Sequence, residues 1–295
     1  GYPFRHSIEH RPGLMALAAR AAAAGVIAGV LAGRSLDALL IGAQARVAER
    51  DRPLLAQLCY GTLRFAPRLE ALAARLLDRS LRRKDRDVHA LLLLGLYQLG
   101  DTRISDHAAV AETVAATADL GKPWARGLLN AVLRRYRREQ VDLEAALAPA
   151  ARAAHPAWLF AAMTAEWPDA LDRIVTANNS QPPLTLRVNR QRQSREAALA
   201  ALAAAAIEAQ AGTLSADSLT LARPRPVETL PGFAEGDLSV QDEAAQLAAP
   251  LLAPRNGERV LDACAAPGGK ACHLLELAPG CELTAVDVDA GRLKR

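Results

Sequence analysis

Between residues 14 and 140, apolar side chains recur at the three- and four-residue spacing of a helix, and no stretch alternates as a strand does. Alanine and leucine, which fill most of these positions, have the highest helix propensities. The pattern predicts helices over residues 14–31, 35–49, 51–64, 67–80, 88–99, 107–120 and 124–139. Residues 88–99 are apolar nearly all round, so we expect them to form the centre of an all-helical domain over residues 14–145.

Length and composition restrict the class of protein. A chain of 295 residues is too long for one typical domain, and a hydrophobic content of 51% can fill more than one core. The four cysteines show neither a disulfide framework nor paired metal-ligand spacing, so no metal site is predicted. A net charge of +4 fits a partner that carries phosphates, although many housekeeping enzymes share such a bias.

The chain carries no pattern that indicates a membrane or secreted protein. No segment reaches the roughly 18–20 apolar residues that span a bilayer, and the start lacks a signal-peptide pattern. We therefore expect a cytoplasmic, monomeric protein without membrane association. Residues 1–13 begin without methionine and are expected to be an N-terminal extension or a tag.

Prolines at several positions after 145 mark a change of composition, and residues 146–235 predict a small α+β region. Its expected elements are helices at 158–167 and 168–178, a strand at 184–188, an alanine-rich helix at 194–211 and a strand at 219–222. His155 in this region and His107 in the helical domain are expected to be structural.

From residue 236 to residue 295 the pattern changes to strand, loop, helix and strand. We expect a helix at 241–252, a strand at 259–263, a helix at 268–277, a strand at 283–286 and the start of a helix at 290–294. This order is the opening βαβ unit of a doubly wound, Rossmann-like α/β domain. Two parallel strands cannot bury both faces, so we expect this domain to be incomplete in the chain.

The loop after the first of these strands is the most informative motif. It reads Asp262-Ala263-Cys264-Ala265-Ala266-Pro267-Gly268-Gly269-Lys270. Between a strand and a helix, backbone N–H groups and the positive end of the helix dipole can face a ligand. Gly268 and Gly269 let a ligand approach the backbone, and Pro267 stiffens the turn.

Three ligands compete for such a loop. A P-loop is excluded because position 264 is cysteine and Ala271 follows the lysine, and a dinucleotide fingerprint lacks its further glycines. S-adenosylmethionine, which has an amino-acid end and a ribose but no phosphate, fits one glycine pair. Asp287 follows the second strand and is placed to accept hydrogen bonds from ribose hydroxyls. The alternative for Asp287 is a solvated helix cap, for which Asp289 is the better candidate.

Residues 260–270 resemble the cofactor motif of RNA (cytosine-5) methyltransferases, and residues 239–246 resemble the segment that precedes it. The family's middle region is similar to residues 155–159, 177–179, 182–183 and 186–189. The helical domain is similar to NusB-like RNA-binding domains through residues 58–64, 95–99 and 127–134. Together these segments resemble the Fmu/Sun (RsmB-like) branch, which methylates 16S ribosomal RNA.

The resemblance implies S-adenosylmethionine as the cofactor, bound by Cys264, Ala265, Ala266, Pro267, Gly268, Gly269, Lys270 and Asp287. In the family, a cysteine thiolate attacks C6 of cytosine, which makes C5 nucleophilic toward the methyl group, and a second cysteine helps to release the product. Those cysteines lie in Pro-Cys and Thr-Cys motifs, and neither motif occurs in residues 1–295. We therefore assign no catalytic residue and expect this polypeptide alone not to turn over. Cys59, Cys272 and Cys281 are expected to be buried.

The predicted helix at 124–139 carries arginines that are candidates for contacts with RNA phosphates, namely Arg126, Arg134, Arg135, Arg137 and Arg138. Tyr136 is a candidate for stacking on a base. The alternative is a solvated helix face with arginines favourable near the C-terminus. The basic cluster at 82–84 is expected to be an ordinary exposed loop.

The leading hypothesis is S-adenosylmethionine-dependent methylation of C5 of a cytosine in 16S ribosomal RNA. A transfer RNA target is the alternative within the same class. A non-enzymatic NusB-like RNA-binding or antitermination module is the alternative from a different class, and it would show no affinity for the cofactor.

Overall fold

The computed structural model describes residues 17–294, so the predicted extension at 1–13 lies outside the described residues. The chain divides into two compact units, Gly1–Ser180 and Gln181–Arg295, and the division falls inside the predicted middle region. The finer boundaries at 145/146 and 235/236 stay a prediction. Within the described part, no helix has both the length and the apolar character needed to cross a membrane.

The first unit is helical throughout its described residues. Its helices are α1 (Ala19–Leu31), α2 (Leu36–Gln44), α3 (Arg52–Arg64), α4 (Ala66–Leu76), α5 (Arg86–Asp101), α6 (Asp106–Asp119), α7 (Ala125–Ala145), α8 (Pro149–Arg152), α9 (Ala157–Glu166) and α10 (Leu171–Asn179). Short 3-10 turns precede α3, α5 and α10.

Helix α5 is the centre of the helical unit, as its all-round apolar pattern predicted. Its side chains between Val88 and Leu99 are almost all buried, and it packs against α1, α3, α4, α6 and α7. Gly61 of α3 lies so close to α5 that a Cβ atom there would be 2.0 Å from the Tyr97 ring. A larger residue at this crossing would therefore force the Tyr97 ring to move.

Two helix ends agree with their sequence signals. Helix α6 begins after Ser105, whose side chain accepts a hydrogen bond from the Ala108 N–H, and it is followed by Gly121 at a φ of +67°. Helix α7 continues past its predicted end at residue 139, because Leu143 still packs into the core.

The second unit begins with a four-stranded sheet in the order β2-β3-β1-β4, with each neighbouring pair antiparallel. Its elements are β1 (Leu184–Val188), α11 (Arg195–Ala204), β2 (Ala209–Ala211), β3 (Ser218–Leu221) and β4 (Leu238–Val240). Ala198 and Leu202 of α11 complete the buried core on one face of this sheet.

One prediction for this sheet is wrong. The helix predicted over 194–211 ends at Ala204, because the chain turns at Ala206 with a φ of +56° and residues 209–211 pair with β3. Leu238–Val240 forms a further strand that pairs with β1, so the sheet extends beyond residue 235.

A second sheet contains the predicted strand–helix–strand unit. Strands β5 (Arg259–Asp262) and β6 (Glu282–Ala285) are parallel and are joined by α14 (Gly269–Leu277), while α12 (Glu243–Gln246), α13 (Ala248–Leu252) and α15 (Ala290–Leu293) flank them. The predicted helix at 241–252 is thus two short helices, and Asp242 caps the first of them. Asp262 pairs with Ala285, so both strands end at one edge of the sheet.

Candidate cofactor loop and candidate RNA-binding face

Backbone hydrogen bonds hold the loop between β5 and α14 against the chain that follows β6. The Val286 N–H donates to the Asp262 carbonyl at 2.8 Å, and the Ala265 N–H donates to the Val286 carbonyl at 3.0 Å. The pairing of the strands thus continues into the loop. All of the sequence-predicted cofactor residues, from Cys264 to Lys270 and at Asp287, lie together at this edge.

Gly268 is the turning point of the loop. Its φ is +108°, which a residue with a side chain rarely adopts, and its N–H donates to the Ala265 carbonyl at 2.6 Å. The space beside it is open, because a Cβ atom would meet only Cys272 Sγ at 3.6 Å. Gly269 then begins α14, whose first N–H groups have no acceptors within the helix.

The carboxylate of Asp287 is half-buried and contacts the loop. Oδ2 accepts a hydrogen bond from the Ala266 N–H at 3.0 Å, and Oδ1 accepts one from the Asp289 N–H at 2.9 Å. These backbone donors, that of Asp289 first, lower the pKa of the Asp287 carboxyl below its ordinary value. A carboxylate has about four lone-pair positions, so acceptor sites remain for a ligand's hydroxyl groups.

Asp289 has the capping role expected of it. Its Oδ1 accepts hydrogen bonds from the N–H groups of Gly291 at 2.9 Å and Arg292 at 3.0 Å, at the start of α15. Asp287 and Asp289 are therefore two neighbouring acids with different contacts, one at the loop and one at a helix end.

Asp262 is a site residue that the sequence interpretation did not select. Its Oδ1 accepts a hydrogen bond from the Cys264 N–H at 3.2 Å, whereas Oδ2 is buried and has no partner among the described residues. A buried carboxylate oxygen is costly unless a donor satisfies it. Asp262 is the first residue of the loop motif at 262–270, which could have marked it as a candidate. The sequence does not show, however, that one of its carboxylate oxygens lacks a partner.

Most backbone N–H groups of the loop already have acceptors within the protein. The N–H groups of Cys264, Ala265, Ala266 and Gly268 all donate to acceptors within the protein. These four N–H groups are therefore engaged within the protein. The donors that helix geometry leaves for a ligand are those of the first turn of α14, including Gly269 and Lys270.

The cysteines divide by exposure. Cys264 and Cys272 are exposed, and Cys59 and Cys281 are buried, so the expectation of burial is wrong for Cys272 because its position on α14 faces solvent. Burial raises the pKa of the Cys59 thiol to about 12, which leaves it protonated and unreactive. The described residues contain no cluster of three or more histidines, cysteines or carboxylates suited to a metal ion.

In the helical unit, a groove of about 870 Å³ runs between α6 and α7. Four of the five predicted RNA-binding arginines line it, namely Arg126, Arg134, Arg137 and Arg138. Arg134 Nε donates to the Asn130 side chain at 3.1 Å, and Arg137 forms an ion pair with Asp106. His107 also lines this groove and is exposed, whereas His155 is buried, with Nδ1 2.6 Å from the Ala153 carbonyl.

Arg135 lies on a different side of α7. Its Nε donates to Glu139 at 2.9 Å, and it lines a separate groove of about 820 Å³. Trp124, 54% exposed, lines this second groove. Further basic side chains along it are Arg79, Arg82, Lys84 and Lys122. The cluster at 82–84 is exposed, as expected of a loop, but two of its residues line this groove.

The stacking role predicted for Tyr136 is wrong. Tyr136 is 1% exposed, and its hydroxyl donates to Glu144 Oε1 at 2.9 Å. Burial and the neighbouring carboxylate raise the pKa of Tyr136. The residue turns inward because positions 129, 132, 133 and 136 form the buried face of α7, so its ring cannot meet a base.

Family models match successive parts of the chain. A NusB family model matches residues 17–138, a model of the ferredoxin-like domain of RsmF/B-like methyltransferases matches residues 155–228, and a model of 16S rRNA methyltransferase RsmB/F matches residues 249–295. The ferredoxin-like match includes β1, β2 and β3.

Several curated relatives that match most of this chain share one name. Ribosomal RNA small subunit methyltransferase B of Pseudomonas putida is 53% identical over 280 residues, which are 94% of this chain and 64% of the relative. The proteins of the same name from Vibrio cholerae and Klebsiella pneumoniae are 47% and 46% identical, and cover 94% and 89% of this chain. The chain spans 64% and 61% of the lengths of those two relatives.

A solved structure shares the fold. The crystal structure of PH0851 matches with a TM-score of 0.71 and 19% sequence identity, and the match covers 96% of this chain and 66% of that chain. At this identity the likeness supports the architecture alone.

Proposed function

Because the chain belongs to the RsmB/F family of 16S rRNA methyltransferases, we propose that it is the RNA-binding and cofactor-binding part of an enzyme that methylates C5 of a cytosine in 16S ribosomal RNA. The name carried by its relatives supports ribosomal RNA as the substrate. A transfer RNA target is the second candidate within the class.

The proposed cofactor is S-adenosylmethionine, which supplies a methyl group on a sulfonium sulfur. The observation that carries this proposal is the buried Oδ2 of Asp262, which has no partner among the described residues and lies at the start of the loop that turns at Gly268. A positively charged amino group, such as that of the methionine part of the cofactor, is a donor that would satisfy this oxygen. Asp287 then accepts from the ribose hydroxyls, and the N–H groups of Gly269 and Lys270 bind a carboxylate at the start of α14.

The proposed RNA-binding surface is the face of α7 that carries the arginines, together with Arg135 on its other side. Exposed guanidinium groups neutralise phosphates and release counterions, so binding of this kind depends strongly on salt. Arg126 and Arg134 are the strongest candidates, because Arg137 is paired with Asp106 and Arg138 lies 3.9 Å from a carboxylate oxygen of Glu139. Arginine also suits this task since its planar fork matches two phosphate oxygens.

We further propose that the cysteine nucleophile is supplied outside the residues of this chain. Cys264 belongs to the proposed cofactor loop, and the Pro-Cys and Thr-Cys motifs of the family are missing from residues 1–295. The 295-residue chain alone should therefore bind cofactor and RNA without methyl transfer.

Titration calorimetry of the 295-residue chain with S-adenosylmethionine tests the cofactor proposal. Asp262→Asn should weaken binding by about tenfold or more, because a hydrogen bond to a charged group contributes about 1.5–3 kcal/mol. Asp289→Asn is the matched control, since this acid caps α15, and it should bind as the unaltered chain does. Absence of any binding by the unaltered chain would favour a non-enzymatic NusB-like module and contradict the proposal.

A further inference from the structure

Arg187 on β1 is a charged residue with no solvent exposure. Its side chain is 0% exposed, whereas arginine in folded proteins is almost never fully buried unless it is paired. The alternation of β1 would place Thr185 and Arg187 on an outer, solvated face. That face is instead covered within the second unit, and both residues are buried.

The guanidinium group of Arg187 is almost completely hydrogen-bonded. Nε and Nη2 donate to the two carboxylate oxygens of Glu276, at 3.0 Å and 2.6 Å. Nη1 donates to the Gly269 carbonyl at 2.6 Å and to the side-chain oxygen of Gln241. Four donations from one planar group fix both the distance and the orientation of its partners.

Two of these partners, Gly269 and Glu276, lie at the two ends of α14. Gly269 is the first residue of the helix and directly follows Gly268, at which the loop turns, while Glu276 lies near the last turn. One side chain from the first sheet thus holds the start and the end of the helix that follows the proposed cofactor loop. The N–H groups of the first turn of α14 are therefore fixed in place relative to β1.

We propose that Arg187 is a positioning residue for the cofactor loop, which rests on the function proposed above. By binding the Gly269 carbonyl, the guanidinium holds the first turn of α14 so that its N–H groups converge on one ligand. Arg187 itself contacts only protein groups and acts through Gly269. Pre-organisation of this kind increases affinity because the loop does not have to be ordered when the ligand binds.

The competing explanation is that Arg187 only stabilises the fold. A buried ion pair is weak evidence for stability, but removing one partner leaves the other charge uncompensated and is destabilising. A purely structural residue would lower the melting temperature without changing the affinity of the folded protein. The two roles therefore differ in the dissociation constant measured well below the melting temperature.

The test compares Arg187→Lys with Arg190→Gln in the 295-residue chain. Lysine retains the charge and can donate to one acceptor, but it cannot bind Glu276 and the Gly269 carbonyl together. Arg190 follows the same strand and pairs with Asp217, and among the described residues it makes no hydrogen bond or ion pair with Gly269 or Glu276; its side chain is 53% exposed. Calorimetry with S-adenosylmethionine at a temperature where each protein is folded should show affinity about tenfold weaker for Arg187→Lys and within about twofold for Arg190→Gln.

A second measurement needs no ligand. In a sample with 15N-labelled glycine, Arg187→Lys should shift the amide resonances of Gly268 and Gly269 and leave those of Gly121 and Gly33 in place. If Arg187→Lys does not fold, Glu276→Gln serves instead, because it loosens the same guanidinium while keeping a neutral hydrogen-bond partner.

The outcomes separate the two proposals. Unchanged affinity and unchanged loop resonances in the variant would overturn the positioning role while leaving the cofactor proposal intact. Lack of S-adenosylmethionine binding by the unaltered chain would overturn both. A lower melting temperature with unchanged affinity would assign Arg187 to stability alone.

Discussion

The carboxylate of Asp287 accepts a hydrogen bond from the Ala266 N–H at 3.0 Å, which joins the end of β6 to the loop that follows β5. The same carboxylate binds the N–H of Asp289, so it fixes two turns at once. These contacts shape the loop, and the carboxylate's remaining lone pairs are those that the proposed function assigns to ribose hydroxyls.

Asp287→Ala should weaken S-adenosylmethionine binding by about tenfold or more, because it removes both the loop contact and the proposed ribose acceptor. Calorimetry at constant pH measures this change. Asp289→Ala provides the comparison, since it removes a neighbouring acid from α15 only, and equal weakening by the two variants would contradict the assignment of Asp287.

The arginine face of α7 predicts the salt dependence of RNA binding. Replacing Arg134 and Arg138 by glutamine should reduce the slope of log K against log salt by about 1.4–1.8, since each phosphate contact contributes about 0.7–0.9. Filter binding of a 16S ribosomal RNA fragment over a range of salt concentrations measures the slope. Arg50→Gln, which removes an exposed arginine in the turn before α3, should leave it unchanged.

Trp124 should contribute to binding of unpaired RNA. A base that stacks on an aromatic ring gains about 1–3 kcal/mol, so Trp124→Ala should reduce affinity for a single-stranded oligonucleotide by about tenfold without changing the salt slope. Fluorescence anisotropy of a labelled oligonucleotide gives both quantities. Trp158, 73% exposed on α9, lines neither groove, and Trp158→Ala should bind as the unaltered chain does.

His273 should make the second unit sensitive to acid. Burial, and next the positive charge of Arg187, lower the pKa of His273 below its ordinary 6.5, although Glu276 and Asp217 act in the opposite direction. The unfolded chain takes up a proton below pH 6.5 that the folded chain resists. The stability that depends on neutral His273 is therefore fully present above pH 6.5 and is lost as the pH falls toward the folded value.

Urea unfolding at pH 7.5 and pH 5.5 tests the prediction for His273. The unaltered chain should lose more free energy of unfolding between these values than His273→Gln does. His107→Gln replaces an exposed histidine and should retain the full loss. A loss as large in His273→Gln as in the unaltered chain would assign the acid sensitivity to other groups.

Two glycine substitutions in the helical unit should have opposite effects on the free energy of unfolding. Gly61→Ala should destabilise the protein by about 1–3 kcal/mol, because the new methyl group overlaps the Tyr97 ring. Gly127 lies on the exposed side of α7, and no atom is within 4 Å of a Cβ added there, so Gly127→Ala should stabilise the protein by about 0.5–1 kcal/mol. Urea denaturation followed by circular dichroism distinguishes the two signs.

Local periodicity located helices α1 to α7 and strand β1, although α2 and α4 end before the predicted residues 49 and 80. The all-round apolar pattern identified α5 as central, and strict alternation located Leu184–Val188 to the residue. Alanine richness was misleading at 209–211, where pairing with β3 outweighs helix propensity. A short strand of this kind depends on a partner distant in sequence, which no local pattern contains.

The candidate site was predictable in its location but not in its detail. The glycine pair and the acid after β6 placed the loop, because each follows from strand–loop–helix order. The unpartnered oxygen of Asp262 and the burial of Arg187 depend on what packs around them. Tyr136 was interpreted as available for stacking by residue type and by its basic neighbours, and this failed because tertiary packing covers its ring.

The contacts of Arg187 span 82 positions to Gly269 and 89 positions to Glu276 along the chain. A piece that begins after β4 would carry α14 with its glutamate but without the guanidinium that neutralises it. Exchange of this segment between homologues should therefore succeed only when the β1 segment is transplanted together with it. In evolution, too, the two segments are expected to be inherited as a pair.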